Sequence, residues 1–504
     1  MTSTESTTER FIVVGAGIAG LFAAMMLARP GREVVVLERD APAEWPADPA
    51  GADAAFDRWR RPGVGQLRHS HAFLARLVNI LRERHPVLLD RLKAAGCREV
   101  GLEELLPSTL KDRYAPAPGD EAMTILMSRR TTFELVARTY VQGLPGVTVR
   151  ASAFVGGLVA ETAPGGPPTV TGVRLEGGET LFADLVIDAA GRTSQAVDWL
   201  AELGAAPPDE PAPAGILYYT RHWRLNPGQG EPPKNGVAGA GDLGYLKFGL
   251  FNADNGCFSV TLAVPEVECE LRQAIVRPDV FDAICDRLPG VAPWTVADRA
   301  TPVSKVFAMG DLTSHWRRLV VDGQPLALGI VLVGDGGVRS NPLYGRGTSF
   351  AAIEAVELAR ALDATADPAQ RLVLYDRFVE QALRPFFDDM VEQDRSAIRR
   401  AAAVRAGTPP SLRGRVLESF IRDGAGVAVR SDLAAFRAAL RAFHMMDPPR
   451  AWLREPRHLG VLLSTWAKGK KRNAHLYPAP MGPGRAEMLA ALGIERDSAA
   501  ELAA

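Results

Sequence analysis

The residues with the clearest chemistry form the run Gly15-Ala16-Gly17-Ile18-Ala19-Gly20. It follows an apolar stretch, Arg10 to Val14, that reads as a strand, and it opens a segment of helical pattern. Glycines spaced G-x-G-x-x-G therefore stand at a strand-to-helix turn, the setting in which the spacing has physical meaning. Gly15 permits the tight turn, Gly17 lets the backbone approach a pyrophosphate, and Gly20 lets helix and strand pack closely. The free N–H groups of the first helical turn then face phosphate, with Ala16, Ile18 and Ala19 beside it. A second strand, Glu33 to Leu37, ends at Glu38 and Arg39. A carboxylate at that strand end can accept both hydroxyls of an adenosine ribose. These residues predict a dinucleotide site that either NAD or FAD would satisfy.

A second polar group, Arg68, His69 and His71, precedes a helix bearing Leu74, Leu77, Val78 and Leu81 on one face. His69 and His71 have no third ligand nearby, so no metal site is expected. Cys97, Cys257, Cys269 and Cys285 fit neither a metal nor a disulfide spacing. The net charge of -1 gives no electrostatic case for nucleic acid. The run Lys468 to Arg472 reads as a solvated loop. No apolar run approaches the ~20 residues that span a bilayer, and the first ten residues are polar, so a cytoplasmic protein is expected.

The elements that position these groups follow from periodicity and turn residues. Ala41 to Gly65, rich in Pro, Gly, Ala and Asp, reads as a long surface excursion. Thr131 and Glu134 are spaced as a capping box at the start of a helix. An antiparallel meander runs from Val147 to Arg174, and Asp184 to Asp188 is a buried strand. Ile216 to Leu225 and Tyr245 to Val264 read as strands of a second sheet, separated by a Gly/Pro-rich loop from Pro227 to Gly241. Asp279 to Arg287 reads as helical. Gly329 to Gly334 is a further strand of nucleotide type, and amphipathic helices dominate from Asp367 onward.

The segment Gly334-Asp335…Asn341-Pro342-Leu-Tyr-Gly345-Arg-Gly347-Thr348 resembles the G-D…P…G-x-G loop of the flavoprotein monooxygenases of the para-hydroxybenzoate hydroxylase superfamily. That resemblance implies FAD. Asp335 would meet its ribityl hydroxyls and Pro342 would sit beside the ring. Gly345, Gly347 and Thr348 would face the pyrimidine edge with a positive helix end. Asp188-Ala-Ala-Gly191-Arg-Thr-Ser194 resembles the superfamily's strand end near the pyrophosphate. Arg130, or its neighbour Arg129, resembles the arginine that meets the diphosphate, and Arg61 stands in a loop similar to one that passes it. Phe154 and Val155 fall where adenine is met. Combinations such as Tyr218-Tyr-Thr-Arg221 and Asn341-Pro-Leu-Tyr-Gly look like the branch of polyene epoxidases and halogenase-like oxygenases.

The fold implied is α/β: a Rossmann-like FAD-binding domain, an interleaved mixed β-sheet substrate domain and a C-terminal helical region. The FAD domain would comprise 1–72, 125–205 and 311–366, with 73–124 helical and part of the substrate domain, 206–310 the substrate domain and 367–504 the helical domain. The resemblance implies insertion of one oxygen atom from O2, by epoxidation or hydroxylation, into a hydrophobic small molecule through a flavin C4a-hydroperoxide. Electrons would come from NAD(P)H or a partner flavin reductase. Besides Arg68, His69, His71 and Pro342, the residues expected to line the substrate pocket are Tyr218, Arg221, Lys247 and Phe248. A halogenase and an isoprenoid double-bond reductase share the fold. The halogenase signature Trp-x-Trp-x-Ile-Pro is absent, since Trp223, Trp294 and Trp316 stand singly. A flavin-binding protein without turnover is the reading from another class.

Overall fold

The computed structural model describes residues 8–233, 236–409 and 411–494. The polar amino-terminal stretch through Thr7, part of the Gly/Pro-rich loop and the carboxy-terminal ten residues lie outside that range. At the centre is β1 (Glu9–Val14), in a five-stranded sheet ordered Ile330–Leu332, Leu185–Asp188, β1, β2 (Arg32–Leu37) and Val147–Arg150. Every pairing is parallel. Such a sheet needs cover on both faces, so its central strands carry long apolar runs, Phe11 to Val14 and Val34 to Leu37. Phe11 and Val13 enter one core, and Ile12 and Val14 the other.

The first core is closed by α1 (Ile18–Leu27) and the helices Arg130–Gln142 and Gly347–Ala364. Eight of the ten residues of α1 are buried, which explains why its sequence lacks a polar face. The second core lies under the antiparallel meander Val155–Glu161, Thr169–Leu175 and Thr180–Phe182.

The second sheet runs Ala240–Asp242, Lys247–Asn252, Cys257–Pro265, Ile216–Leu225 and Ala300–Pro302, with Phe307–Met309 also on Ile216–Leu225. Its pairings are all antiparallel rather than mixed. Tyr219 and Trp223 point into its own core, which the helix Pro278–Cys285 and Met488 complete. Tyr218, Thr220 and His222 point toward the nucleotide domain. Asp367 caps the helix Pro368–Arg405 by accepting from the Gln370 N–H. That helix buries Leu383, Phe386, Phe387 and Met390 against the first core.

Two local expectations are corrected. The excursion between Ala41 and Gly65 contains a helix, Pro49–Arg58, capped by Asp48 and burying Ala52, Ala55 and Phe56. Thr131 and Glu134 form no capping box. Glu134 is wholly buried in an ion cluster, and the Thr131 hydroxyl has no partner.

Candidate functional site

One cavity of about 780 Å³ extends from the Gly15 turn, past Asp335, to the space beneath the second sheet. At its first end the three glycines meet different constraints. Gly15 has φ +99°, and a Cβ there would lie 2.7 Å from the Ala189 carbonyl oxygen. At Gly20 a Cβ would lie 1.9 Å from the Gly15 oxygen, so this glycine serves packing and stands behind the cavity wall. At Gly17 nothing lies within 4 Å, and the backbone faces open space. Ile18, Ala19, Arg39, Phe154 and Val155 also line this end. Ala16 does not, but its N–H donates to Glu38 Oε2 over 2.9 Å. Glu38 Oε1 accepts from the Asp40 N–H at 3.0 Å.

Glu38 belongs to a buried ion cluster. Arg61 donates to Glu38, to Asp40 and to Glu134, so all three guanidinium nitrogens are engaged. Arg130 donates through Nε to Glu134 at 2.6 Å. Burial alone would raise the Glu134 pKa, but Arg61 and Arg130 hold it below the usual carboxylate value. Of the two adjacent arginines, Arg130 reaches the cavity. Arg129 is turned away onto Asp254, at 2.6 Å, and Asp53.

In mid-cavity, Asp335 follows the strand Ile330–Leu332, and its carboxylate has no hydrogen-bond partner among the described residues. Burial raises its pKa. Asp188 accepts from the Ser194 hydroxyl at 2.6 Å, and burial pushes it up to about 6. Gly191, Pro342, Gly345, Gly347 and Thr348 line this stretch, where the helix Gly347–Ala364 begins. Farther along that helix, buried Glu354 accepts from the Gly334 N–H at 2.7 Å and ties strand end to helix. Asn341 accepts from the Tyr218 hydroxyl at 2.7 Å and donates to Asp394, fixing the loop against the second sheet.

The remaining chamber is mostly apolar, with Leu105, Ile125, Met127, Phe248, Leu250 and Phe251 in its wall. Tyr218 and Lys247 line it, as do both His69 and His71. The His69 N–H donates to the Gln66 carbonyl at 3.1 Å, so the chain turns into this segment, and His71 Nδ1 donates to the His69 carbonyl at 2.9 Å. His69 Nδ1 pairs with Thr220 Oγ1, also at 2.9 Å. Burial lowers the His69 pKa to about 4; burial and then the Arg130 charge take His71 to about 3. Both are neutral near pH 7.

Arg68 and Arg221 do not reach the cavity. The Arg68 guanidinium donates to the carbonyls of Phe56 and Trp59, where the unforeseen helix ends. Arg221 occupies the strand face opposite Tyr218 and binds Asp282 and the Ser304 carbonyl. Two lining residues, Phe443 and His444, escaped the sequence reading. His444 is 2% exposed, and neither ring nitrogen has a partner among the described residues. Burial lowers its pKa to about 4. No spacing rule ties residue 444 to a site built around residues 69 and 342.

Known proteins resemble this chain in sequence and in fold. Residues 10–245 match the family model for FAD dependent oxidoreductases. The fold is shared with PqsL, a probable FAD-dependent monooxygenase, and with the flavin-dependent brominase Bmp2. Protein Rv3254 of Mycobacterium tuberculosis is 29% identical over 378 residues, covering 71% of this chain and 73% of that protein. Kynurenine 3-monooxygenase of Salinispora arenicola is 28% identical over 415 residues, or 76% and 78% of the two chains. Among solved structures, the Diels-Alderase PyrE3 of pyrroindomycin biosynthesis superposes with a TM-score of 0.55 at 19% identity, covering 87% of this chain and 81% of its own. A mutant of PqsL from P. aeruginosa gives 0.54 at 17% identity, covering 79% and 99%.

Proposed function

We propose that this FAD-dependent enzyme is a monooxygenase that places one oxygen atom from O2 into a hydrophobic small molecule, as an epoxide or a hydroxyl group. The observation that carries the reading is the continuity of one cavity, from a phosphate-binding turn to an apolar chamber. The residues present fit FAD: Gly17 opens onto the cavity, and Asp335 offers a carboxylate with no other hydrogen bond. The Gly15–Gly17 turn and the start of α1 would hold the diphosphate, together with Arg130. Glu38 would accept the ribose hydroxyls, positioned by Arg61 and by the Ala16 N–H. Phe154 and Val155 would border adenine, with Arg39 beside them. Asp335 would meet the ribityl chain, and Gly191 leaves room beside it. Pro342, Gly345, Gly347 and Thr348 would bring backbone and a positive helix end to the flavin ring.

Reduced FAD, when bound, supplies the activation of O2. The chain's own task is to seat the substrate and keep water out. Neutral His69 and His71 suit that task, since neither brings a charge to be hydrated. The apolar wall selects a weakly polar substrate, and His444 offers it one hydrogen-bonding group. Electrons come from NAD(P)H or from a partner flavin reductase.

The test uses the purified yellow protein, NADPH or a flavin reductase, and a panel of lipophilic alkenes and phenols under 18O2. Substrate-accelerated NADPH oxidation with one 18O atom in the product is expected. A saturated product would assign a double-bond reductase, a halogenated product in halide a halogenase, and FAD retention without turnover a binding protein; each would overturn the proposal.

A further inference from the structure

Thirteen large hydrophobic side chains stand exposed on the described surface, and eight of them fall between Val404 and Leu463. Over Val404 to Arg472 the chain carries fourteen Lys and Arg against five Asp and Glu, in a protein whose net charge is -1. Both excesses meet on two helices, Leu412–Ser419 and Pro456–Arg472, the second kinked at Gly469 so that Lys470, Lys471 and Arg472 follow the break. These pack through their inner sides. Trp466 Nε1 donates to Ser419 Oγ at 3.1 Å, Phe420 meets the Trp466 ring edge-on at 5.5 Å, and Gly424 lies against Trp466 and Leu462. Their outer sides have no cover. Leu412, Val416, Leu417 and the following Ile421 are exposed on the first, and Leu459 and Leu463 on the second. Leu459 and Leu463 are one turn apart and form a ridge.

The cations around these side chains are free. Arg413, Arg415, Arg454, Arg457, Lys468, Lys470, Lys471 and Arg472 are all exposed, and no carboxylate among the described residues pairs with them. In the neighbouring segments paired arginines do occur, as with Arg422 on Asp423 and Arg450 on Asp389. Long aliphatic side chains interspersed with unpaired cations match a surface that offers anionic headgroups above hydrocarbon. An acidic protein groove would answer the charge but would not account for apolar residues spread across two helices. No helix among the described residues is long and apolar enough to cross a membrane.

We propose that the helices Leu412–Ser419 and Pro456–Arg472 form a docking face for the surface of an anionic lipid bilayer. The chamber opens toward the same helical region. Phe443 lines the cavity and is 50% exposed, and its helix Leu433–Phe443 packs against Pro456–Arg472. A lipid-dissolved substrate would thus reach the chamber without crossing bulk water, a consequence that rests on the function proposed above. Docking itself does not.

The test is flotation of the FAD-loaded full chain with vesicles of phosphatidylcholine alone, or of about three parts phosphatidylcholine to one of phosphatidylglycerol. Binding is expected on the anionic vesicles only, and it should be lost in about 0.5 M salt. Reversing four exposed cations (K468E, K470E, K471E and R472E) should lower vesicle affinity by more than about 100-fold. L459Q with L463Q should lower it by about tenfold or more. Unchanged FAD content and circular dichroism establish that both variants fold. Failure to bind anionic vesicles, equal binding to both compositions, or binding that both variants retain would each overturn the proposal. So would wild-type dimerisation in sedimentation that L459Q with L463Q abolishes, since the face would then belong to a second copy.

Discussion

Arg61 and Glu134 show how much of the site is held by charges that pair with one another. Arg61 donates to three carboxylates and so clamps Glu38 from the cavity wall. Removing one partner of a buried pair leaves the other uncompensated. Arg61→Met should therefore destabilise the apoprotein by about 3–5 kcal/mol in urea unfolding, and FAD affinity should fall with it. His444 makes the opposite forecast. Its two unpartnered nitrogens destabilise the empty chamber, so His444→Leu should stabilise the apoprotein by about 1–3 kcal/mol while impairing turnover. It should also change the pH response. A buried imidazole held at about 4 takes up a proton on unfolding anywhere below its ordinary 6.5. Its share of stability is complete above 6.5 and is lost as pH falls toward 4, by about 1.4 kcal/mol per pH unit. Unfolding free energies of wild type and His444→Leu at several pH values between 7.5 and 4 should diverge with that slope, the variant gaining in acid.

At the scale of the element, α1 separates binding from packing by one turn of helix. Gly17→Ala adds a methyl group where nothing lies within 4 Å. It should leave apoprotein stability within about 1 kcal/mol yet weaken FAD binding about tenfold or more, by blocking the approach to the helix N-terminus. Gly20→Ala drives a Cβ into the Gly15 oxygen and should cost stability first. Apoprotein melting and flavin fluorescence titration on the two variants separate the effects. The strand, turn and helix around these glycines were legible because a parallel strand and a buried helix leave long apolar runs. The helix Pro49–Arg58 was not, because Pro, Gly and Asp interrupt it and its burial depends on Arg129 and the second sheet. Nor could the facing of Arg221 be read, since alternation along a strand does not say which side is the core until its partners are known.

For the whole molecule, the net charge of -1 conceals a strong division between a basic helical region and an acidic remainder. Bulk composition gave no hint of it; the run of charges from Val404 to Arg472 and the exposure of particular side chains did. The division predicts that adsorption to a cation exchanger depends on the C-terminal helices: K468E, K470E, K471E and R472E together should abolish retention near pH 7, whereas an equal number of reversals at the exposed Arg84, Lys111, Arg174 and Lys305 should not.

The order of strands in the parallel sheet carries a consequence for biogenesis. The strand Leu185–Asp188 is flanked by β1 on one side and by Ile330–Leu332 on the other. Until roughly two-thirds of the polypeptide has left the ribosome, one flank of that strand has nothing to hydrogen-bond, and α1 lacks its later neighbour Gly347–Ala364. The nascent chain thus carries an open, adhesive β-edge while the whole stretch between Asp188 and Ile330 is made, and completion of the nucleotide fold must wait for residues that arrive after the entire second sheet has been made.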